Sequence, residues 1–304
     1  MDWDIPDTAA GTYVNIDGEL IPAEKATVSL LDRNFLYSDG VFESIPVSDG
    51  KVLVIDRHID RLFRSMKAMK IEIPLSKETL SDRLVETLEA SAMEYGVVRI
   101  IVSRGVGPQG IANTNAVMGP IIFVIPQQLS ANTFSYDEVT TGKARIVSTT
   151  AIRPQTIDPR MKSTSYVNNV LAERELVGTE ADHAILLDEH GHVAEAHIAN
   201  VLLFDEDGVF KTPPTTYTLA GITREVLLER ARALGIEVEV TTLTPYDLYT
   251  SSDLILCSSR FITHITELSG QLLQRSPSER LIELADDFFE YMRTNEFEEL
   301  DLSE

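Results

Sequence analysis

The chain opens with alternating apolar and polar positions broken by two-residue turns. TYVNI and ELI flank Asp17-Gly18, and VFESIPV and KVLVI flank Asp49-Gly50. Asp-Gly between such runs signals a tight β-hairpin, because both turn residues must take positive φ. The period then changes. RHIDRLFRSMKAMKI spaces Ile59, Leu62, Phe63, Met66 and Met69 three or four apart, which predicts a helix with one apolar face. A second helix is expected from Ser76, its N-cap, to about Tyr95, with Gly96 ending it before the strands VVRIIVS and IIFVIP.

The segment QQLSANTFSYDE is polar and weakly periodic, and the order of elements changes across it. This predicts an α/β domain over 1–126, a linker over 127–138 and a second α/β domain over 139–304. The second begins with a strand ARIVST, an irregular loop IRPQTIDPRMKS and a helix YVNNVLAERELVG. Strands HAILLD and HVAEA flank a turn at Gly191, then come an amphipathic helix GITREVLLERARALG, strands EVEVT and DLILCSS, and an acidic C-terminal helix. The fold class expected is α/β (α+β) in two domains, for which 304 residues are ample.

Composition narrows the partners. The net charge is −22, with the acids spread along the chain and no local basic patch, which disfavours nucleic acids and anionic membrane surfaces. Such a surface suits a protein adapted to high salt, where charge repulsion is screened; an ordinary acidic enzyme is the alternative. No stretch approaches the roughly 18 apolar residues that cross a bilayer. MDWDIPDTAAG has neither the basic nor the apolar region of an export signal, so a cytoplasmic location is expected. Cys257 is alone and has no intramolecular disulfide partner.

Several residues could carry chemistry. Lys162 lies in a loop between an expected strand and helix, with Arg160 before it and Tyr166 after it; a Schiff-base lysine needs such cations or desolvation to keep its amine free. Taken alone, a loop lysine is far more often a solvated surface group. Gly221-Ile222-Thr223 opens a helix, where backbone N–H groups favour a phosphate, and Ser258 and Ser259 end a strand with two hydroxyls. Arg61 in HIDRL could add a bidentate fork. Each has a plain structural reading as a cap, a strand end or a solvated arginine. Glu195, on a strand among apolar neighbours, would need a cationic partner if it points inward. His183, His190, His192 and His197 lie near Asp182, Asp188 and Glu189, which raises a metal-dependent hydrolase as a rival; their spread over two strands and a turn argues against a metal site.

The run KSTSYVNNVLAERE, then AILLDEHGHVAEAHIANVLLF, then LAGITREVL resembles the class IV aminotransferases, as do YVNIDGELI, LDRNFLYSDGVFES and RHIDRLFRSMKAM in the first half. That family includes branched-chain and D-amino-acid aminotransferases and aminodeoxychorismate lyase. The resemblance reaches to about residue 268. It implies the type IV pyridoxal-phosphate fold, with two α/β domains, the cofactor between them and a homodimer. It further implies Lys162 as Schiff-base lysine and proton carrier, Glu195 at the pyridine nitrogen and Tyr166 near the cofactor's O3' oxygen. Arg61, Ile222, Thr223 and Ser259, with Ser258 beside it, would hold the phosphate.

The implied activity moves an amino group from an amino acid, a branched-chain L-amino acid favoured, to a 2-oxo acid such as 2-oxoglutarate. The alternatives are a D-amino-acid or amine transaminase, or aminodeoxychorismate lyase. Substrate positions fall on Tyr37, Arg99 and Arg260. Here the chain departs from its family: Tyr37 is followed by Ser38 instead of glycine, the FEGIR pattern reads Phe42-Glu43-Ser44-Ile45-Pro46, and the aromatic expected before Arg99 is Val97. The Arg-x-His trap of D-amino-acid enzymes is replaced by Gln109 and Ile111. Arg260 could recognise a second carboxylate or point into solvent.

Overall fold

The computed structural model describes residues 11–112, 114, 117–129 and 138–294. They pack as two compact units. One takes the described chain up to 129 together with Met161–Ser165, and the other takes 138–160 and 166–294. Of the expected linker, 127 and 128 belong to a strand and 130–137 lie outside the described residues, as do 295–304 of the acidic tail.

In the first unit, β1 (Tyr13–Ile16) and β2 (Glu19–Pro22) turn through Asp17 and Gly18, with φ of 53° and 98°. α1 (Arg33–Tyr37) follows, then β3 (Gly40–Ser48) and β4 (Lys51–Val52), whose turn at Asp49 and Gly50 has φ of 52° and 74°. α2 (Ile55–Met69), α3 (Lys77–Ala90), β5 (Gly96–Ser103) and β6 (Ile121–Gln128) complete it. The sheet order is β2-β1-β6-β5-β3-β4, with every pair antiparallel. Val41, Ile45 and Val47 on one face of β3 pack with Ile59, Leu62 and Met66 of α2 and with Leu80 and Leu84 of α3. Fully burying each such side chain contributes about 1.5–3 kcal/mol.

Three local expectations shift here, each for a physical reason. The KVLVI strand stops at Val52, because Ile55 and Ile59 already belong to the helical stripe that packs on β3. The second helix ends at Ala90, well short of Tyr95: the Ser91 hydroxyl bonds back to the Thr87 carbonyl at 2.7 Å, and Ala92 turns the chain at φ 45°. Gly96 serves β5 instead, since a Cβ there would lie 2.2 Å from the Gln127 carbonyl oxygen. α1, five residues long, is too short for a periodic signal; the Asp32 carboxylate caps it by accepting from Asn34 N and Phe35 N.

The second unit contains β7 (Thr140–Ile146), α4 (Val167–Arg174), β8 (His183–Leu187), β9 (Val193–Ala196), β10 (Ala199–Phe204) and β11 (Phe210–Thr212). α5 (Ile222–Ala233), β12 (Val238–Val240), α6 (Pro245–Thr250), β13 (Asp253–Ser258), β14 (Phe261–Leu268), β15 (Gln271–Leu272) and α7 (Glu279–Thr294) come next. The sheet runs β12-β11-β10-β13-β14-β7-β8-β9, and β9 also pairs with β10. That extra pairing closes β10, β13, β14, β7, β8 and β9 into a ring, filled by Val201, Leu203, Leu254, Leu256 and Ile265. A closed ring has no unpaired edge, so its turns hold their side chains in fixed places.

Candidate active site

Lys162 is held from both sides of its backbone within the first unit. Its N–H donates to the Ser65 hydroxyl of α2 at 3.2 Å, and its carbonyl accepts from Phe42 N of β3 at 2.9 Å. Thr164 N donates to the Gly40 carbonyl at 3.0 Å, and Ser163 bridges Val41, so the lysine segment lies along β3 as a short extra strand. Alternation along β3 puts Val41, Glu43 and Ile45 toward α2, which leaves Phe42 on the opposite face. Lys162 Nζ stands 4.5 Å from the Phe42 ring centroid, and the Arg99 guanidinium carbon, on the neighbouring β5, lies 5.1 Å from it. A primary amine and an exposed guanidinium thus share one aromatic ring.

On the other face of β3, Glu43 is fully buried and bonded to Arg61 through two oxygens, Nε to Oε1 and Nη2 to Oε2, each at 2.7 Å. His58 Nδ1 lies 2.8 Å from Oε2. Burial pushes the Glu43 carboxyl up, but the Arg61 charge and hydrogen bonds, with those of His58, bring it down to about 2. Burial lowers His58 against the pull of Glu43, so a neutral ring donates from Nδ1 to the carboxylate. His58, Arg61 and Ser65 lie on one side of α2 at spacings of three and four, so the helix that fixes Lys162 also carries the candidate phosphate arginine. Glu43 and His58 are the parts of this cluster that sequence reasoning passed over. A lone carboxylate on the core face of a strand, with a histidine and an arginine three apart on the next helix, was the available signal.

Tyr37 ends α1, and its hydroxyl accepts from Gly110 N at 2.8 Å. Arg33, buried and paired with Asp39 at 2.8 Å, donates to the Gly110 and Ile111 carbonyls. Arg104 shares the same aspartate. The loop carrying Gln109 and Ile111 is therefore tied down at its backbone by α1, and Tyr37 acts first as its anchor.

In the second unit, Glu195 of β9 accepts at one oxygen, Oε2, from the Thr218 hydroxyl and from Leu219 N, both at 2.9 Å. Three residues on, α5 starts at Ile222 with Gly221 as N-cap and no capping side chain. A helix start of that kind, next to the Thr223 hydroxyl, suits an oxyanion. Ser259 and Arg260 form the turn between β13 and β14, and Arg260 N donates to Ser258 Oγ at 3.2 Å. Arg260 is half-buried and its charge acts on His197. Tyr166 is the N-cap residue of α4. Arg224, beside Thr223, is buried and spends its donors on Thr212 Oγ1 and the Pro213 carbonyl.

The sequence pattern of the family Amino-transferase class IV matches residues 40–268. The chain belongs to the class IV aminotransferases. It is 34% identical over 283 residues, 92% of this chain and 96% of the relative, to a Methanocaldococcus jannaschii protein named "Putative branched-chain-amino-acid aminotransferase". It is 30% identical over 231 residues, 75% of each chain, to aminodeoxychorismate lyase of Bacillus subtilis. The crystal structure of a branched-chain aminotransferase from Thermoproteus uzoniensis with norvaline superposes with a TM-score of 0.82 at 28% identity, covering 92% of this chain and 94% of that one.

The protein is thus a pyridoxal-phosphate-dependent aminotransferase of fold type IV. Each unit of this aminotransferase carries groups of a kind that suits the cofactor: the first an anchored primary amine, the second a carboxylate presented by two donors and a helix start without a side-chain cap beside a hydroxyl. The histidines of the aminotransferase do not converge. His190 and His192 sit with Asp188 at the β8–β9 turn, while the His183 and His197 rings lie 5.9 Å apart, tilted by 35°. Among the described residues, no group of three His, Cys, Asp or Glu side chains is arranged to hold a metal.

Proposed function

We propose that the enzyme transfers the amino group of a branched-chain L-amino acid to a 2-oxo acid such as 2-oxoglutarate, with Lys162 as the residue that binds the cofactor and moves the proton. The observation that carries this is the anchoring of Lys162, whose backbone is held by β3 and α2 while its amine stands over Phe42 beside Arg99. Bound pyridoxal phosphate supplies the electron sink for carbanion chemistry. The chain does the rest. Lys162 would bind the cofactor through Nζ and, when that amine is free, would serve as the base that carries the substrate's α-proton, a role favoured by proximity. Arg61, Ile222, Thr223, Ser258 and Ser259 would hold the phosphate, Glu195 would partner the pyridine nitrogen and Tyr166 the phenolic oxygen. Arg99 receives the substrate carboxylate, with Tyr37 shaping that side and Arg260 supporting a second carboxylate.

Support for the branched-chain substrate comes from the Methanocaldococcus relative's name and from Gln109 and Ile111, which lack the charge of the D-amino-acid carboxylate trap. The likeness to the Bacillus lyase favours a second reading, elimination of pyruvate from aminodeoxychorismate on the same lysine. A donor screen separates them: L-leucine, L-glutamate, D-alanine and aminodeoxychorismate are added in turn to the holoenzyme. Loss of the visible cofactor band with L-leucine or L-glutamate, with the keto acid released, supports the proposal. Response only to D-alanine, or pyruvate release from aminodeoxychorismate alone, rejects it.

The enzyme on this reading is a homodimer in the cytoplasm of a salt-adapted cell. Val167, Val170 and Leu171 lie exposed on one side of α4, a surface suited to a second subunit, and the charge of −22 suits high salt. Among the described residues, no helix is long and apolar enough to cross a membrane.

A further inference from the structure

Glu195 and Asn200 sit directly opposite each other across the β9–β10 pair, and Thr218 stands between their side chains. Asn200 Nδ2 donates to the Leu219 carbonyl at 2.9 Å and to Thr218 Oγ1 at 2.8 Å. A carbonyl can only accept, so the amide nitrogen must be the atom that faces Leu219, and the same nitrogen is then a donor to Thr218. A hydroxyl has one proton. With Oγ1 already accepting from Asn200, that proton is left for Glu195 Oε2, 2.9 Å away. Gly221 completes the arrangement: a Cβ there would lie 1.8 Å from Asn200 Oδ1, so only glycine lets the amide oxygen pack against the backbone at the start of α5. Thr218 is 1% and Asn200 6% exposed, which keeps water from competing for these bonds.

We propose that Asn200 and Thr218 are positioning residues that hold the Glu195 carboxylate in one orientation, as an anionic acceptor for the protonated pyridine nitrogen of the cofactor. This rests on the proposed placement of Glu195 at that nitrogen. Donation runs as a relay from the Asn200 amide through the Thr218 hydroxyl to the carboxylate, while the Leu219 carbonyl, accepting from the same amide, fixes which way the amide faces. Removing the hydroxyl takes a donor from Glu195 Oε2 and leaves a buried amide hydrogen without its acceptor, so the carboxylate becomes a weaker partner for the ring. A merely structural role, tying the 218–221 segment to the barrel, would lower stability and leave the ring's protonation untouched.

The experiment loads the wild type, Thr218→Val, Thr218→Ser, Asn200→Ala and Glu195→Gln with pyridoxal phosphate labelled with nitrogen-15 in the ring. It follows the ring-nitrogen shift against pH, together with the cofactor dissociation constant and the apoprotein melting temperature. The expected result is a protonated ring at neutral pH in the wild type and in Thr218→Ser. In Thr218→Val the nitrogen releases its proton at lower pH and cofactor binding weakens about tenfold, the effect of one hydrogen bond to a charged group. Asn200→Ala shifts the ring in the same direction, and serves alone if Thr218→Val does not fold. In a Glu195→Gln background, Thr218→Val changes nothing further. If Glu195→Gln moves the ring nitrogen but Thr218→Val and Asn200→Ala leave it at the wild-type value, the relay is overturned and the role of Glu195 stands. If Glu195→Gln also leaves it unmoved, the placement of Glu195 fails and the relay with it.

Discussion

Phe42 holds Lys162 twice: its N–H donates to the lysine carbonyl at 2.9 Å, and its ring centroid lies 4.5 Å from Nζ. The first contact sets the height of the lysine along β3. The second sets where the amine can point, since the ring face lies directly beneath it. Phe42→Leu keeps the backbone bond and removes the ring. Turnover should fall about tenfold, because small misplacements of a reacting group are costly. Some stability should be lost too, since leucine fills only part of the ring's buried space, so turnover is compared at a temperature where both proteins are folded. Steady-state kinetics and a thermal melt check this together.

Glu43 is the counter-charge of buried Arg61. Glu43→Gln takes that buried counter-charge from the guanidinium, which costs about 3–5 kcal/mol in other buried pairs. Urea denaturation of the apoprotein should show a loss of that order. Phosphate-dependent cofactor affinity should drop as well, since Arg61 loses the partner that aims it.

The same pair sets a pH dependence. The Glu43 carboxyl lies at about 2 in the folded protein against 4.5 for an ordinary glutamate, a depressed value, so the unfolded chain binds the proton more readily. Its contribution is fully present above about 4.5 and is lost as pH falls toward about 2. Denaturant midpoints measured from neutral pH down to acid should therefore decline in that window. The decline should be shallower in Glu43→Gln, although Asp39 and Asp253, also held low, keep part of it.

If Arg99 receives the substrate carboxylate as proposed, its removal probes the substrate side. Arg99→Leu should raise KM for the amino acid by about ten- to a hundredfold, the effect of losing a charge-assisted bond of about 1.5–3 kcal/mol. The cofactor band should stay unchanged. An unaltered KM would remove Arg99 from the substrate site.

Cys257 is buried in β13, and burial pushes its thiol up to about 12. A neutral, enclosed thiol is a poor nucleophile. Iodoacetamide should leave the native enzyme unlabelled and active, and should label Cys257 fully once the chain is unfolded.

Local signals in the chain were readable where one short rule decides the backbone. Asp17-Gly18 and Asp49-Gly50 form the turns that their residue types demand, and the Ile59, Leu62, Met66 stripe packs as a helix face should. What escaped the sequence is non-local. The pairing of Met161–Ser165 with β3 joins segments more than a hundred residues apart, and no periodicity marks it. Glu43, His58 and Arg61 form one charge cluster only after β3 and α2 pack together. Thr218 stands in a loop of short polar residues, where nothing distinguishes a hydroxyl that bonds Glu195 from one that meets water. Arg61 and Glu195 were legible as candidates by resemblance, whereas the groups that aim them were not.

The most direct test of Lys162 as the cofactor-binding residue is to reduce the holoenzyme with borohydride, digest it and locate the pyridoxyl group by mass spectrometry. A single label on Lys162 is expected, with Lys162→Ala unlabelled and inactive but still folded. A label on any of the other lysines, or full activity in Lys162→Ala, would contradict that role.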